Sequence, residues 1–314
     1  MRAVVVNEYG GTPVVAEIPT PQPGPYQVLI KVRAAGVNPM DRWLASGAQR
    51  SEAATFPMVL GADGAGIVEK IGEGATRFAP GDKVFGQLWA APFVEAGTDA
   101  DYIAVPEDAP LARVPDGLDL VVAAALPTTG MTGLLLVEEL EPLAGKTMLI
   151  VGAGGGVGSF ASQFAVNAGA RVIASVRSES AQRLRGYGVA ETVDHTRVSA
   201  VDAVRQAHPE GVDVLLDLAS DADGFSALAA LVRRGGTAVT TRHVADVEAL
   251  KSAGVTGINF GLQASPGLLE RVANALVSGQ IVAPPITRIT LDEVPALLSG
   301  ATRGPTDGKT VITL

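Results

Sequence analysis

The 314-residue sequence contains no cysteine. This absence excludes disulfides, thiolate nucleophiles and cysteine-bound structural zinc. Histidine is scarce as well: His195, His208 and His243 lie in separate segments, without H-x-x-H or H-E-x-x-H spacing. The ligands that remain therefore do not predict a transition-metal site.

Basic clusters and long apolar runs are also missing. The formal net charge is −9 and Lys and Arg form no block, so the electrostatic attraction that drives nucleic-acid binding is absent and nucleic acid is not an expected partner. No apolar stretch approaches the roughly 18 uncharged residues that cross a bilayer. The N-terminal segment, residues 1–11, is too short in its apolar part for a signal peptide. We therefore expect a cytoplasmic protein with no membrane partner.

The remaining composition is that of an ordered protein with two domains. Hydrophobic residues make up 47% of the chain and charged residues 18%, which is typical of globular proteins of this length. Residues 1–123 show short strands with period-two alternation and Gly/Pro turns, which predicts a mostly antiparallel, partly open barrel. In residues 124–258 strands alternate with helices, as in a doubly wound parallel sheet. Residues 259–314 are expected to return to the first domain, and the fold class is α/β.

The most informative segment is residues 148–157 (MLIVGAGGGV), followed by Gly158. It predicts a buried strand, Thr147–Val151, then a helix whose apolar residues recur at helical spacing. Glycines between a strand and a helix let the backbone turn and approach a pyrophosphate, whose charge is favoured by the free N–H groups at the helix start. The fit to G-x-G-x-x-G is imperfect because Ala153 replaces the first glycine. A flexible connector is the alternative, but the flanking strand and helix favour a dinucleotide site.

The end of the next strand, residues 171–175, bears on which dinucleotide binds. A site that prefers NAD usually has Asp or Glu there, roughly 20 residues beyond the first glycine. This chain has Ser175, Val176, Arg177 and Ser178 instead. Arg177 and the two hydroxyls could hold a 2′-phosphate through charge-assisted hydrogen bonds. We therefore predict NADPH rather than NADH, the alternative being that Arg177 is a solvated surface charge.

Several motifs in order resemble the medium-chain dehydrogenase/reductase superfamily, in its zinc-independent quinone oxidoreductase branch. They are Gly36-Val37-Asn38-Pro39-Met40-Asp41, residues 61–68 (GADGAGIV) leading to 81–86 (GDKVFG), residues 125–132 (ALPTTGMT), and the glycine loop. The resemblance implies a GroES-like catalytic domain, built from both termini, around a Rossmann domain. It also implies a homodimer joined through the edge strands of the nucleotide sheets, here near residues 255–260, the alternative being a buried edge in a monomer.

The same resemblance implies a site without metal. Where the zinc-dependent branch has a G-H-E triplet that supplies a zinc-binding histidine, this chain has Gly61-Ala62-Asp63. Without a Lewis acid, hydride transfer favours a quinone or an α,β-unsaturated carbonyl, since conjugation spreads the incoming negative charge. We expect the substrate at the carboxyl ends of the parallel strands, in a cleft entered from the β-rich domain.

The predicted activity is thus a metal-free, NADPH-dependent reduction of a quinone or enone. One alternative is an enoyl reductase acting on a polyketide-like biosynthetic intermediate. The other, from a different class, is a non-catalytic NADPH-binding scaffold or sensor.

The resemblance also implies roles for single residues. As catalytic candidates, Asn38 would donate to the substrate oxygen, Asp41 would orient neighbouring donors, and Thr128 would contact the nicotinamide. A turn at Asn38 and helix caps at Asp41 and Thr128 are the structural alternatives. The expected cofactor contacts are Gly155, Gly156, Val157, Gly158, Ser175, Arg177, Ser178, Phe260 and His195, which stands where relatives have a tyrosine and is otherwise a solvated histidine. The apolar side chains that could line the substrate pocket, or simply pack, are Trp43, Leu44, Trp89, Phe93 and Phe260.

Overall fold

The structure is a computed structural model that describes residues 1–48, 50, 54–88, 97–302 and 307–314. Trp89 and Phe93, two of the predicted pocket residues, lie outside the described residues. The chain folds into two compact units, the first formed by Met1–Met131 with Ala264–Leu314 and the second by Thr132–Gln263.

The strands and helices of the two units are numbered in chain order. The strands are β1 (Arg2–Val6), β2 (Val14–Glu17), β3 (Gln27–Gly36), β4 (Met58–Val59), β5 (Asp63–Ile71), β6 (Lys83–Gln87), β7 (Tyr102–Pro106), β8 (Leu111–Arg113), β9 (Thr147–Val151), β10 (Arg171–Val176), β11 (Glu191–Asp194), β12 (Val212–Asp217), β13 (Val232–Thr240), β14 (Thr256–Asn259), β15 (Ile286–Thr290) and β16 (Lys309–Thr313). The helices are α1 (Pro39–Ser46), α2 (Leu120–Ala124), α3 (Pro127–Glu139), α4 (Gly156–Asn167), α5 (Ser178–Gly186), α6 (Ala200–Ala207), α7 (Ala222–Ala229), α8 (Val247–Ser252), α9 (Pro266–Val277) and α10 (Val294–Ser299). Within the described part of the chain, no helix has both the length and the apolar character needed to span a bilayer.

The first unit is rich in β-structure. One sheet has the order β2-β1-β4, and a larger one has the order β15-β16-β3-β5-β6-β8, with β7 also paired to β3. All of these pairs are antiparallel except β15–β16, which is parallel. The inward residues of the period-two strands, among them Ile30, Val84 and Ile312, form a common buried core. Because β16 pairs with β3, the C-terminal segment completes a sheet begun near the N-terminus.

The boundary between the units lies inside α3, between Met131 and Thr132. The sequence prediction put it after residue 123, where the periodicity changes. Helix α2 begins at an N-cap, Asp119, whose carboxylate accepts from the backbone N–H of Val121, and it packs on β3, β5 and β6 of the first unit. A change in hydrophobic periodicity marks where helices begin in the sequence. The unit to which a helix belongs is decided by its packing, and α2 packs on the first unit.

The second unit confirms the predicted doubly wound sheet. Its strands are all parallel and have the order β11-β10-β9-β12-β13-β14. The central strand β12 is buried along its whole length, as expected for a strand covered by helices on both faces. Val151 of β9 pairs with Ser175 of β10 and with Asp217 of β12. The loops that follow these three strands therefore leave the same edge of the sheet.

Candidate active site

The glycine loop has the predicted strand–turn–helix form. After Val151, Gly152 takes a left-handed conformation with φ 81°, which glycine adopts without a steric penalty. Helix α4 then begins at Gly156, with Gly155 as its N-cap. The backbone N–H of Gly155 donates to Gly152 O at 3.2 Å, and that of Ser159 donates to Gly155 O at 2.9 Å. The helix start thus follows the sheet edge directly, where its free N–H groups favour an anion.

Two of the glycines meet different surroundings. A Cβ on Gly158 would lie 2.3 Å from Gly152 O and 2.5 Å from the Cα of Ala153. A Cβ on Gly155 would meet only Gly152 O, at 3.5 Å. Gly158 is therefore required by the packing of α4 on the loop, whereas the space beside Gly155 is open. This combination fits a loop that lets a pyrophosphate approach its backbone.

An arginine that the sequence did not single out holds the glycine loop. Arg183 of α5 donates to Gly154 O at 3.0 Å, to Ser159 Oγ at 2.9 Å and to the hydroxyl of Tyr187 at 3.2 Å. The guanidinium thereby connects α5 to the loop and brings positive charge to it. On the sequence, Arg183 is one of several charges of an ordinary helix, so no pattern marked it.

The residues predicted for the adenosine end lie around the start of α5. Arg177 is the N-cap of α5 and is half-buried. Of the two hydroxyls predicted to bind a 2′-phosphate, Ser175 is buried and Ser178 is exposed. The Oγ of Ser178 donates to a carboxylate oxygen of Asp194, the last residue of β11. On the sequence, the carboxylate of an NAD-preferring site was expected at the end of β10, and His195 was the residue noted after β11, so Asp194 was missed.

Four other predicted residues lie at separate places. His195 follows Asp194 and is exposed. Phe260 follows β14, is buried, and donates its backbone N–H to Thr240 O at 2.9 Å. On α1, Trp43 is 44% exposed while Leu44 is buried. Of these two side chains, that of Trp43 is the one accessible to a ligand. Their roles toward cofactor or substrate stay predictions.

In the first unit, the side chain of Asn38 is held on every side. Its Nδ2 donates to Asp63 Oδ2 at 2.9 Å and to Gly36 O at 3.1 Å. Its Oδ1 accepts from Nζ of Lys309. Asn38 also precedes α1, where Oδ2 of Asp41 accepts from its backbone N–H at 2.6 Å. Asp41 therefore takes part in capping α1, which was the structural alternative for this residue. Both amide hydrogens of Asn38 have acceptors within the protein.

Asp63 is the centre of this polar cluster. Its carboxylate accepts from Thr128 Oγ1 at 2.7 Å and from Thr128 N at 3.2 Å, and it lies 3.4 Å from Nζ of Lys309. Thr128 Oγ1 in turn accepts from Nε2 of Gln87 at 2.8 Å. Thr128 is the second residue of α3, and its hydroxyl binds Asp63 instead of capping the helix. The structure therefore brings Asn38, Asp41 and Thr128 together around Asp63, and their catalytic roles stay predictions.

Carboxyl groups outnumber ammonium groups in this buried polar cluster. Asp41, Asp63 and Asp99 are fully buried and Lys309 is 4% exposed. Burial raises the pKa of Asp41 to about 7. Burial, followed by the neighbouring carboxylates of Asp41 and Asp63, raises the pKa of Asp99 as well. The charged forms of Asp41 and Asp99 are therefore disfavoured in this buried cluster.

Sequence reasoning missed Lys309 and used Asp63 only as part of a motif. It placed Gln87 and Asp99 in the segment 87–101, expected to form the rim of the substrate pocket, without linking them to this cluster. The one signal for Lys309 is a charge at the first position of a mostly buried strand. It lies 271 residues from Asn38, so no spacing rule connects the two. Among the described residues, no group of three or more His, Asp or Glu side chains is arranged to hold a metal ion.

Comparison with known proteins identifies the family. The model of the alcohol dehydrogenase GroES-like domain matches residues 24–116, and that of the zinc-binding dehydrogenase matches residues 156–257. Human quinone oxidoreductase is 31% identical over 254 residues, which are 79% of this chain and 75% of the relative. The chain belongs to the medium-chain dehydrogenase/reductase superfamily. Within that superfamily it is quinone oxidoreductase-like, so the resemblance inferred from the motifs is confirmed.

Two further relatives support this assignment. An Arabidopsis thaliana chloroplastic protein named NADPH-dependent alkenal/one oxidoreductase is 32% identical over 225 residues, 69% of this chain and 57% of that protein. The solved structure of a quinone oxidoreductase from Coxiella burnetii has a TM-score of 0.87 at 24% identity, covering 100% of this chain and 99% of that one, and it confirms the fold. This medium-chain dehydrogenase/reductase is therefore an oxidoreductase that uses a nicotinamide cofactor and acts on a small molecule.

Proposed function

We propose that this protein is a metal-free, NADPH-dependent reductase of quinones or α,β-unsaturated carbonyls. The observation that carries the proposal is the similarity to quinone oxidoreductases over 79% of the chain. The alkenal/one oxidoreductase among the relatives extends the proposed substrates from quinones to enones, which accept hydride by the same delocalisation of charge. A homodimer joined through β14 is part of the same proposal.

The residues of the glycine loop fit a dinucleotide. The open space beside Gly155 and the start of α4 would receive the pyrophosphate, and Arg177 would bind the 2′-phosphate. The bound cofactor supplies the hydride. Proton supply and charge stabilisation are then left to the side chains of the protein and to water.

The proposal of a metal-free reaction rests on the residues themselves. The chain has no cysteine, and Ala62 takes the place of the zinc-binding histidine of the zinc-dependent branch. Conjugated substrates reduce the need for a Lewis acid because hydrogen-bond donors can stabilise an enolate or hydroquinone anion. Asn38 is the proposed donor, and Thr128 is the proposed contact to the nicotinamide. Donation by Asn38 requires that a substrate oxygen replace Gly36 O or Asp63 as acceptor, and the ammonium of Lys309 on its Oδ1 makes the amide a stronger donor.

The Asn38→Ala variant tests that role. We expect its turnover with an enone or quinone to fall by about ten-fold or more, the usual loss when one donor to a developing oxyanion is removed. Steady-state rates of NADPH oxidation measure the effect, with circular dichroism to verify folding. Asn274→Ala, which truncates an exposed asparagine on α9, is the matched control. Unchanged turnover in Asn38→Ala would reject the donor role.

The Arg177→Ala variant tests the choice of cofactor. We expect the KM for NADPH to rise by about ten-fold while the KM for NADH stays constant, because only NADPH carries the phosphate that a guanidinium can bind. Arg185→Ala removes an exposed arginine from the same helix, one that donates to Thr192, and should change neither constant. An equal effect of Arg177→Ala on both cofactors would contradict the assignment.

A substrate panel tests the function as a whole. We expect NADPH oxidation with quinones and short enones, and none with saturated ketones. Rates that are high only with enoyl thioesters would favour the biosynthetic enoyl reductase. Tight NADPH binding without turnover of any of these compounds would favour the scaffold or sensor.

A further inference from the structure

A carboxylate stands beside the proposed 2′-phosphate site. Val176, at the end of β10, is paired in register with Asp194, at the end of β11. Two residues further, at the start of α5, the exposed hydroxyl of Ser178 donates to Oδ2 of Asp194. The end of the second strand of a doubly wound sheet is where the adenosine ribose lies. β10 ends without a carboxylate, and its neighbour β11 supplies that of Asp194 instead.

This carboxylate is ionised and held in place. Its Oδ1 accepts from the backbone N–H of Thr196 at 2.9 Å and from the hydroxyl of Thr196 at 2.6 Å. The hydrogen bond from Ser178, followed by those from Thr196, lowers the pKa of Asp194 to about 2. The negative charge is therefore present at every pH at which the enzyme would be assayed.

From this geometry we infer that Asp194 is a specificity-determining residue that disfavours the 2′-phosphate and so opposes Arg177. The inference rests on the proposed function, because it takes the cofactor to bind at this edge of the sheet. Two effects act together. The carboxylate of Asp194 repels a phosphate group that approaches Ser178. It also accepts the hydrogen bond from the Ser178 hydroxyl, which is then not available to the phosphate. A ribose hydroxyl meets neither obstacle, since it can itself donate to the carboxylate.

The test is the Asp194→Asn variant, which keeps the size of the side chain and an oxygen that can accept from Thr196. We measure kcat/KM for NADPH and for NADH with one quinone. The ratio of the NADPH value to the NADH value is expected to rise by about ten-fold, mainly through a lower KM for NADPH, as one like charge is removed at close range. The gain should shrink at high salt because the site is open to solvent.

Asp202→Asn is the control for loss of a carboxylate as such, since it removes an exposed carboxylate from the neighbouring α6, and it should leave the ratio unchanged. A second variant, Asp194→Ser, repeats the charge removal in case the amide disturbs the start of α5. If neither Asp194 variant raises the ratio, the inference is wrong. If the wild-type protein reduces no substrate, calorimetry with NADP⁺ and NAD⁺ decides the matter separately: a shifted ratio of dissociation constants supports Asp194 while the proposed activity fails.

Discussion

The Lys309→Met variant is expected to be less stable than the wild-type protein by about 3–5 kcal/mol, the range found when one partner of a buried ion pair is removed. The ammonium donates to Asn38 Oδ1 and lies 3.4 Å from Oδ2 of Asp63, and both charged side chains are almost completely buried. Without Lys309, the negative charge of Asp63 keeps its hydrogen-bond donors but loses its counter-charge. Urea denaturation followed by circular dichroism measures the difference.

Two further variants separate electrostatics from packing. Lys70→Met removes an exposed lysine from β5, whose Nζ lies 3.4 Å from Gln22, and should cost less than about 1 kcal/mol. The double variant Asp63→Asn/Lys309→Met should recover part of the loss, because no unpaired charge is left buried. A Lys309→Met protein as stable as the Lys70→Met control would contradict the assignment of Lys309 as the counter-charge of the cluster.

Gly158→Ala and Gly155→Ala are expected to fail in different ways. In Gly158→Ala the new methyl group meets backbone atoms of Gly152 and Ala153 at 2.3 and 2.5 Å, so the loop or α4 must move. We expect a loss of about 1–3 kcal/mol of stability, as for other overpacked sites, and at least a ten-fold loss of cofactor affinity. Both changes are measured on one preparation, by urea denaturation and by titration with the reduced cofactor.

In Gly155→Ala the methyl group enters open space, 3.5 Å from the nearest backbone oxygen. The backbone angles of this N-cap, φ −72° and ψ 178°, suit alanine, so stability should change by no more than about 1 kcal/mol. Cofactor affinity should nevertheless fall, because the methyl group fills the space that the pyrophosphate needs. Gly267→Ala, at another uncrowded helical glycine, is the control for a methyl group as such. Full affinity in Gly155→Ala would show that the pyrophosphate does not approach this glycine.

Local patterns predicted the second unit well. The strands Thr147–Val151 and Arg171–Val176 and the glycines between strand and helix carry their signal within a few residues, because parallel strands covered on both faces are apolar throughout and a helix start needs special backbone conformations. The parallel sheet follows from the alternation of such strands with helices.

The polar cluster of the first unit was only half predictable. Family motifs brought Asn38, Asp41 and Thr128 to attention, but Lys309 comes from the last strand, and only the pairing of β16 with β3 brings it to Asn38. Asp194 was missed for a related reason, since only the pairing of β11 with β10 brings it to Ser178. Contacts that depend on tertiary structure leave no spacing in the sequence from which they could be read.

The position of Lys309 also has a consequence for the order of assembly during synthesis. Every strand of the parallel sheet precedes residue 264, so the sheet of the second unit can form while residues 264–314 are still being translated. The β-rich unit has to wait for β16, and until then Asp63 and its buried neighbours lack their cation. A nascent chain can therefore hold a folded second unit while the buried carboxyl groups of the β-rich unit still lack the ammonium of Lys309.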